Sequence, residues 1–165
     1  MKTTENPQIT MPPSLKRILL VDDSPRDIEM TLDALSQHNL ANEVLTFCDS
    51  VEALDYLFGR GPFADQSQGA PAVILLDLKM PKVDGLEVLR QIKEDPRLKL
   101  IPVVVLSSSR EEPDLLQSYQ LGANAYIVKP VQFQDFVEAV KLVGAFWAIL
   151  NERPLLPWLR PGPSS

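Results

Sequence analysis

The chain has 165 residues, of which 45% are hydrophobic and 23% charged, a composition that suits one folded domain and excludes disorder throughout. Sixteen basic against 22 acidic residues leave a net charge of −6, which argues against a nucleic-acid partner, because phosphate contacts need a basic face. The longest apolar run, Leu142 to Leu150, is nine residues long, against the roughly 20 that a membrane-spanning helix needs.

Residues 1–16 hold Pro7, Pro12 and Pro13, which break up any signal-peptide-like stretch and mark an extended tail. Ile18 to Val21 predicts a strand, and Asp22 and Asp23 follow it. A Ser24 cap and Pro25 in the first turn predict a helix with Ile28, Leu32 and Leu35 on one face. His38, before Asn39 at that helix's end, suits the helix dipole and is given no catalytic role. It is the chain's one histidine, so a His-rich metal site is excluded. Val44 to Phe47 predicts a second strand. Cys48 is the single cysteine, so no internal disulfide forms and a reducing, cytoplasmic compartment is expected. It reads as a small near-core residue.

Ser50 or Asp49 can cap a second helix carrying Val51, Leu54, Leu57 and Phe58. Gly59 to Pro71, with three glycines and two prolines, predicts a surface excursion. The strand Ala72 to Leu76 ends at Asp77. A helix with Leu86, Leu89 and Ile92 follows, then the strand Val103 to Leu106, ending at Ser107, Ser108 and Ser109. After a solvated start at Arg110, Glu111 and Glu112, Leu115, Leu116 and Tyr119 form the stripe of a short fourth helix ended by Gly122. The last strand, Ala125 to Val128, delivers Lys129 and Pro130. Phe133, Phe136, Val137 and Val140 begin the fifth helix. Residues 151–165 form a Pro-rich tail, and residues 17–150 form one domain.

Four of the five strands are nearly continuous in apolar character, as strands buried on both faces are. Five β–α units in sequence imply an open parallel sheet with helices on both faces. Ligands of such sheets bind outside the strands' C-terminal ends, where Asp22, Asp23, Asp77, Ser107 and Lys129 all fall. Singly, each has a bland reading as a turn, a loop or a strand end; the placement rule selects them jointly. Three carboxylates about 4 Å apart repel by roughly 4 kcal/mol per pair at an effective dielectric of about 20. A proton or a divalent cation must offset that, and with oxygen ligands alone Mg²⁺ is the natural cation. A carboxylate beside a cation, a hydroxyl and a lysine has what phosphoryl transfer to a carboxylate requires.

The stretches ILLVDDSP at 18–25, VILLDLKMPKVDG at 73–85, IPVVVLSSS at 101–109 and GANAYIVKP at 122–130 resemble the receiver domain of bacterial response regulators. The resemblance implies a flavodoxin-like fold with strand order 2-1-3-4-5. It implies Asp77 as phosphoacceptor, and Mg²⁺ held by Asp22, Asp23, Asp77 and the Lys79 backbone carbonyl. Ser107 and Tyr126 would be the switch pair, and Lys129 the partner of the phosphoryl group, with a cis Lys129–Pro130 bond. The side chains of Lys79 and Ser109 would tune phosphate lifetime. The loop at 59–71 is longer than most receivers carry, and no output module follows residue 150, so a stand-alone receiver is expected.

Phe146, Trp147, Ile149 and Leu150 make the end of the fifth helix apolar around most of its circumference, where a single stripe would need one face. Leu155, Leu156, Trp158 and Leu159 follow. This ending, with the extended loop, is similar to single-domain response regulators that serve cyanobacterial phytochromes. That likeness implies a sensor histidine kinase as phosphoryl donor. It also implies a homodimer through the fourth helix, fifth strand and fifth helix. Two buried aromatics would contribute roughly 10 kcal/mol per protomer against association losses of about 4–15 kcal/mol.

The expected function is therefore a signalling switch, working by population shift and catalysing only its own phosphorylation and dephosphorylation. One alternative is an Mg²⁺-dependent phosphohydrolase with an aspartyl nucleophile. That class, however, places a D-x-D motif after its first strand, where this chain reads Asp22-Asp23-Ser24. A receiver-like binding module is the other alternative, which the intact acidic, hydroxyl and lysine set argues against. No G-x-S-x-G elbow, Walker A loop or G-x-G-x-x-G turn is present.

Overall fold

Runs of leucine and β-branched residues without a polar face are stable as strands only when covered on both sides. Three such runs form the centre of a five-stranded sheet in the computed structural model, which describes residues 17–36, 44–64, 70–108, 111–129 and 133–147. Strands β1 (Ile18–Val21), β3 (Val73–Asp77) and β4 (Val103–Ser107) are buried at every position. The partly exposed β2 (Val44–Phe47) and β5 (Ala125–Val128) form the edges. All pairings are parallel and the order is β2-β1-β3-β4-β5, as expected from the sequence.

Alternation along the strands sends side chains to two helical layers. Ile18, Leu20, Val73, Leu75, Val104 and Leu106 pack against Ala34 and Leu35 of α1 (Pro25–Ser36) and Val137 and Val140 of α5 (Phe133–Ala145). On the other face, Leu19, Val21, Ile74, Leu76, Val103 and Val105 meet α2 (Ser50–Phe58) and α3 (Gly85–Glu94). Each fully buried aliphatic side chain contributes roughly 1.5–3 kcal/mol of transfer free energy. The fourth helix, α4 (Glu112–Gln120), rests against α3 and β5.

Helix starts follow local chemistry. Ser24 Oγ accepts the Asp27 N–H at 3.3 Å. The carboxylate that caps α2 is Asp49, which accepts from Val51 and Glu52, so Ser50 is the first helical residue instead. Asp84 caps α3 through the Glu87 N–H at 2.9 Å. Asp49 also pairs with Lys82 at 2.6 Å, holding the one non-glycine residue with positive φ among those described, 65°.

Two expectations are corrected. The Leu115, Leu116 and Tyr119 stripe is not buried as a unit: Leu115 is half-buried, while Leu116 is 53% and Tyr119 49% exposed. α4 rests on α3 and β5, and its buried position among the described residues is Ser118, satisfied by donating to the Asp114 carbonyl at 2.8 Å. Cys48 is exposed, not near-core, because the edge strand has ended and the chain turns outward to the Asp49 cap. The described start of the segment after α2 lies at the surface, as expected, and is anchored there. A 3-10 turn at Gly61–Phe63 sets the Phe63 ring edge-on against Phe47 and Tyr56, at 5.9 and 5.4 Å.

The tails at 1–16 and 151–165, His38, Ser109, Arg110, and the Lys129–Pro130 bond lie outside the described residues. Among the described residues, no helix is long and apolar enough to cross a membrane.

Candidate functional site

The register brings the strand ends together. Val21 pairs with Leu76, so Asp22 and Asp77 emerge side by side. Asp77 pairs with Leu106 and Ser107 with Val128. The Lys129 N–H continues the ladder by donating to the Ser107 carbonyl at 2.7 Å. Four neighbouring strands thus deliver two acids, a hydroxyl and an amine to one edge of the sheet, with Asp23 beside them.

One carboxylate oxygen each from Asp22, Asp23 and Asp77 lies within 4.8 Å of the others. Asp22 is 1% and Asp77 7% exposed, while Asp23 is partly exposed. The Lys129 ammonium lies 2.9 Å from Asp22, 2.8 Å from Asp27 and 3.5 Å from Asp77. The Asp22 carboxylate also accepts the Ser24 N–H at 3.0 Å.

Burial pushes the Asp77 carboxyl up to about 6, with the Lys129 ammonium opposing and the charges of Asp22 and Asp23 adding to the rise. Burial also raises Asp22, against the hydrogen bond and charge of Lys129. Burial alone would lower Lys129; its hydrogen bonds to Asp27 and Asp22 and the charges of Asp22 and Asp77 hold it above the ordinary lysine range. The cluster therefore strains to stay ionised, a mark of sites that bind cations or perform proton and group transfer. Its all-oxygen donor set fits a hard divalent cation and offers nothing to a soft metal.

The remaining sequence candidates fall around this centre. Ser107 is fully buried at the end of β4. Tyr126 is half-buried on β5, packed against the α2–α3 side core. The Lys79 side chain is exposed, its ammonium 3.6 Å from Asp114 of α4. Leu78, Lys79, Met80, Asp84, Leu86 and Asp114 line an open cleft of about 420 Å³ beside the site. Phe146 is 48% exposed and stacks edge-on with the half-buried Trp147, ring centroids 4.9 Å apart. Ile149 and Leu150 lie outside the described residues.

Two participants escape the sequence reading. Asp27 looks like an ordinary acid in a helix's first turn, and nothing local signals its ion pair across 102 positions. Gly85 closes the stretch at 73–85, but nothing in the sequence says why a glycine stands there. In the fold a Cβ there would stand 2.1 Å from the Asp77 carbonyl oxygen and 2.5 Å from Leu78 Cα. α3 can dock beneath Asp77 only with a bare α-carbon, and the Gly85 N–H then donates to the Leu78 carbonyl at 2.9 Å.

Comparison with known proteins fits this geometry. A profile of the response regulator receiver domain matches residues 18–141. The response regulator Rcp1 of Synechocystis sp. strain PCC 6803 is 39% identical over 132 residues, 80% of this chain and 88% of Rcp1; its Mn²⁺-bound crystal structure superposes with a TM-score of 0.77. The phosphorylated cyanobacterial phytochrome response regulator RcpA is 42% identical, with a TM-score of 0.78 over 84% of this chain and 98% of its own. The bacteriophytochrome response regulator AtBRR is 57% identical, with a TM-score of 0.68 over 85% of this chain and 100% of its own.

Proposed function

The chain belongs to the response regulator receiver family, and from that premise we propose that it is a phosphorylation switch of a phytochrome-linked phosphorelay. The observation that carries this is Asp77: a buried acid at a strand end, flanked by Asp22 and Asp23, with a lysine ammonium 3.5 Å away. At neutral pH its carboxyl, at about 6, is ionised and poorly solvated, a good nucleophile.

A kinase's phosphohistidine gives up its phosphoryl group: the N–P bond breaks and an O–P bond forms to Asp77, in line. Lys129 balances charge on the transferred oxygens, and the Ser107 hydroxyl hydrogen-bonds to one of them. Asp22, Asp23, Asp77 and the Lys79 carbonyl would hold Mg²⁺, which would supply charge neutralisation at the transferring group. Engagement of Ser107 draws Tyr126 inward and changes the surface of α4, β5 and α5. Lys79, beside the site, influences phosphate lifetime. A sensor histidine kinase of phytochrome type as donor is supported by RcpA and AtBRR, a cyanobacterial phytochrome and a bacteriophytochrome response regulator by name; a reducing, cytoplasmic compartment suits the single cysteine.

Incubation with acetyl phosphate and Mg²⁺, followed by intact mass, tests the reading. One phosphoryl group is added to the wild type, and none with EDTA or in Asp77→Asn. Modification persisting in Asp77→Asn would sink it.

Dimerisation through α4, β5 and α5 belongs to the same proposal. Leu142 and Phe146 stand one helical turn apart and are 70% and 48% exposed, and Leu116 and Tyr119 add apolar surface on α4. Sedimentation gives a dimer mass for the wild type and a monomer mass for a chain carrying both Leu142→Glu and Phe146→Glu; a monomer mass for the wild type removes the dimer.

A further inference from the structure

Lys129 carries three donors, and the fold does not give Asp77 first claim on them. Its ammonium sits at hydrogen-bonding distance from Asp27 and Asp22, 2.8 and 2.9 Å, and farther from Asp77, 3.5 Å. The two nearer partners differ in what losing the ammonium would cost. Asp22 is 1% exposed, so a vacated carboxylate there stays desolvated and uncompensated. The Asp27 side chain is 30% exposed, so water can replace the ammonium.

Asp27 has no other charged partner among the described residues. Its N–H goes to Ser24 Oγ and its carbonyl to the Thr31 hydroxyl, both within the start of α1. Its carboxylate adds a further negative charge beside the buried acidic cluster, offset in this structure by the Lys129 ammonium.

We propose that Asp27 is a positioning residue that holds Lys129 toward α1 in the resting protein and must release it before the ammonium can serve a phosphoryl group on Asp77. This rests on the phosphoacceptor reading above. Asp27 then acts as a brake on phosphorylation in two ways: it withholds the ammonium, and its own charge opposes the incoming dianion. The same negative charge favours a cation at Asp22, Asp23 and Asp77. Removing it therefore moves the two properties in opposite directions, whereas loss of a merely structural strut would weaken both.

The test compares wild type, Asp27→Asn, Asp27→Glu and Asp27→Ser, the last as a second neutral variant should Asn perturb the helix start. Phosphorylation by acetyl phosphate at saturating Mg²⁺ is followed by intact mass, and Mn²⁺ affinity by water-proton relaxation. In the neutral variants phosphorylation quickens about fivefold and Mn²⁺ binds about fivefold more weakly, the size expected of one partly screened unit charge. Asp27→Glu returns both toward wild type. An unchanged or slower rate, or an unchanged or tighter Mn²⁺ affinity, overturns the role of Asp27 while leaving Asp77 as acceptor. A wild type that takes no phosphoryl group overturns both.

Discussion

Lys129→Met destabilises the chain by about 3–5 kcal/mol at neutral pH without divalent metal, the range for removing one partner of a buried ion pair. Methionine keeps most of the apolar stem, so what is lost is the ammonium that Asp22, Asp27 and Asp77 share. Asp22 and Asp77, already raised by burial, then rise further, since the opposing cation has gone. A carboxyl raised in the folded state contributes stability that is full at low pH and is lost as pH rises through its folded value. The deficit of Lys129→Met against wild type is therefore small near pH 4 and complete by about pH 8. Mg²⁺ restores part of it by compensating the same carboxylates. Urea unfolding at these two pH values, with and without Mg²⁺, reads the effect; equal stability at neutral pH would show that the ion pairs contribute nothing net.

Asp77→Asn has the opposite sign. With burial holding the carboxyl at about 6 against an ordinary 3.8, the folded protein binds a proton that the unfolded chain releases earlier. The stability this provides is present below pH 4 and lost as pH rises through 6. The difference corresponds to about 3 kcal/mol at neutral pH. Asparagine does not titrate, so the metal-free variant unfolds at higher urea than wild type at pH 7.5, by up to about 3 kcal/mol. The gain fades toward pH 4, and the variant accepts no phosphoryl group. A variant less stable than wild type at pH 7.5 would contradict the electrostatic account of the site. Stability is lower here because the acceptor is kept ionised out of water, a common cost of functional sites.

Much of this site is legible in the sequence because the parallel-sheet rule converts a one-dimensional pattern into a spatial one. Once the runs ending at Val21, Leu76, Leu106 and Val128 are read as adjacent strands, Asp22, Asp77, Ser107 and Lys129 must share an edge. Asp27 is illegible for the converse reason. Its partner is chosen by the direction of one long side chain 102 residues away, and no periodicity encodes that choice. The error at α4 is similar in origin. Leu116 and Tyr119 have helical spacing, but spacing says only that two residues share a face, not whether a neighbour covers it. At Cys48 composition is the poor guide: cysteine is usually buried, but this one follows an edge strand, at a point where the chain has left the core.

The sparse seating of α4 has a mechanical consequence. α1, α2, α3 and α5 are each fastened to the sheet by several buried apolar side chains, whereas the buried side chain described in α4 is Ser118. A frame with four stiff panels and one compliant panel does not share a disturbance equally; displacement collects where the restoring force is weakest. Ser107 ends the strand paired with β5, on which α4 rests, so a disturbance at the rim is expected to collect in that one helix.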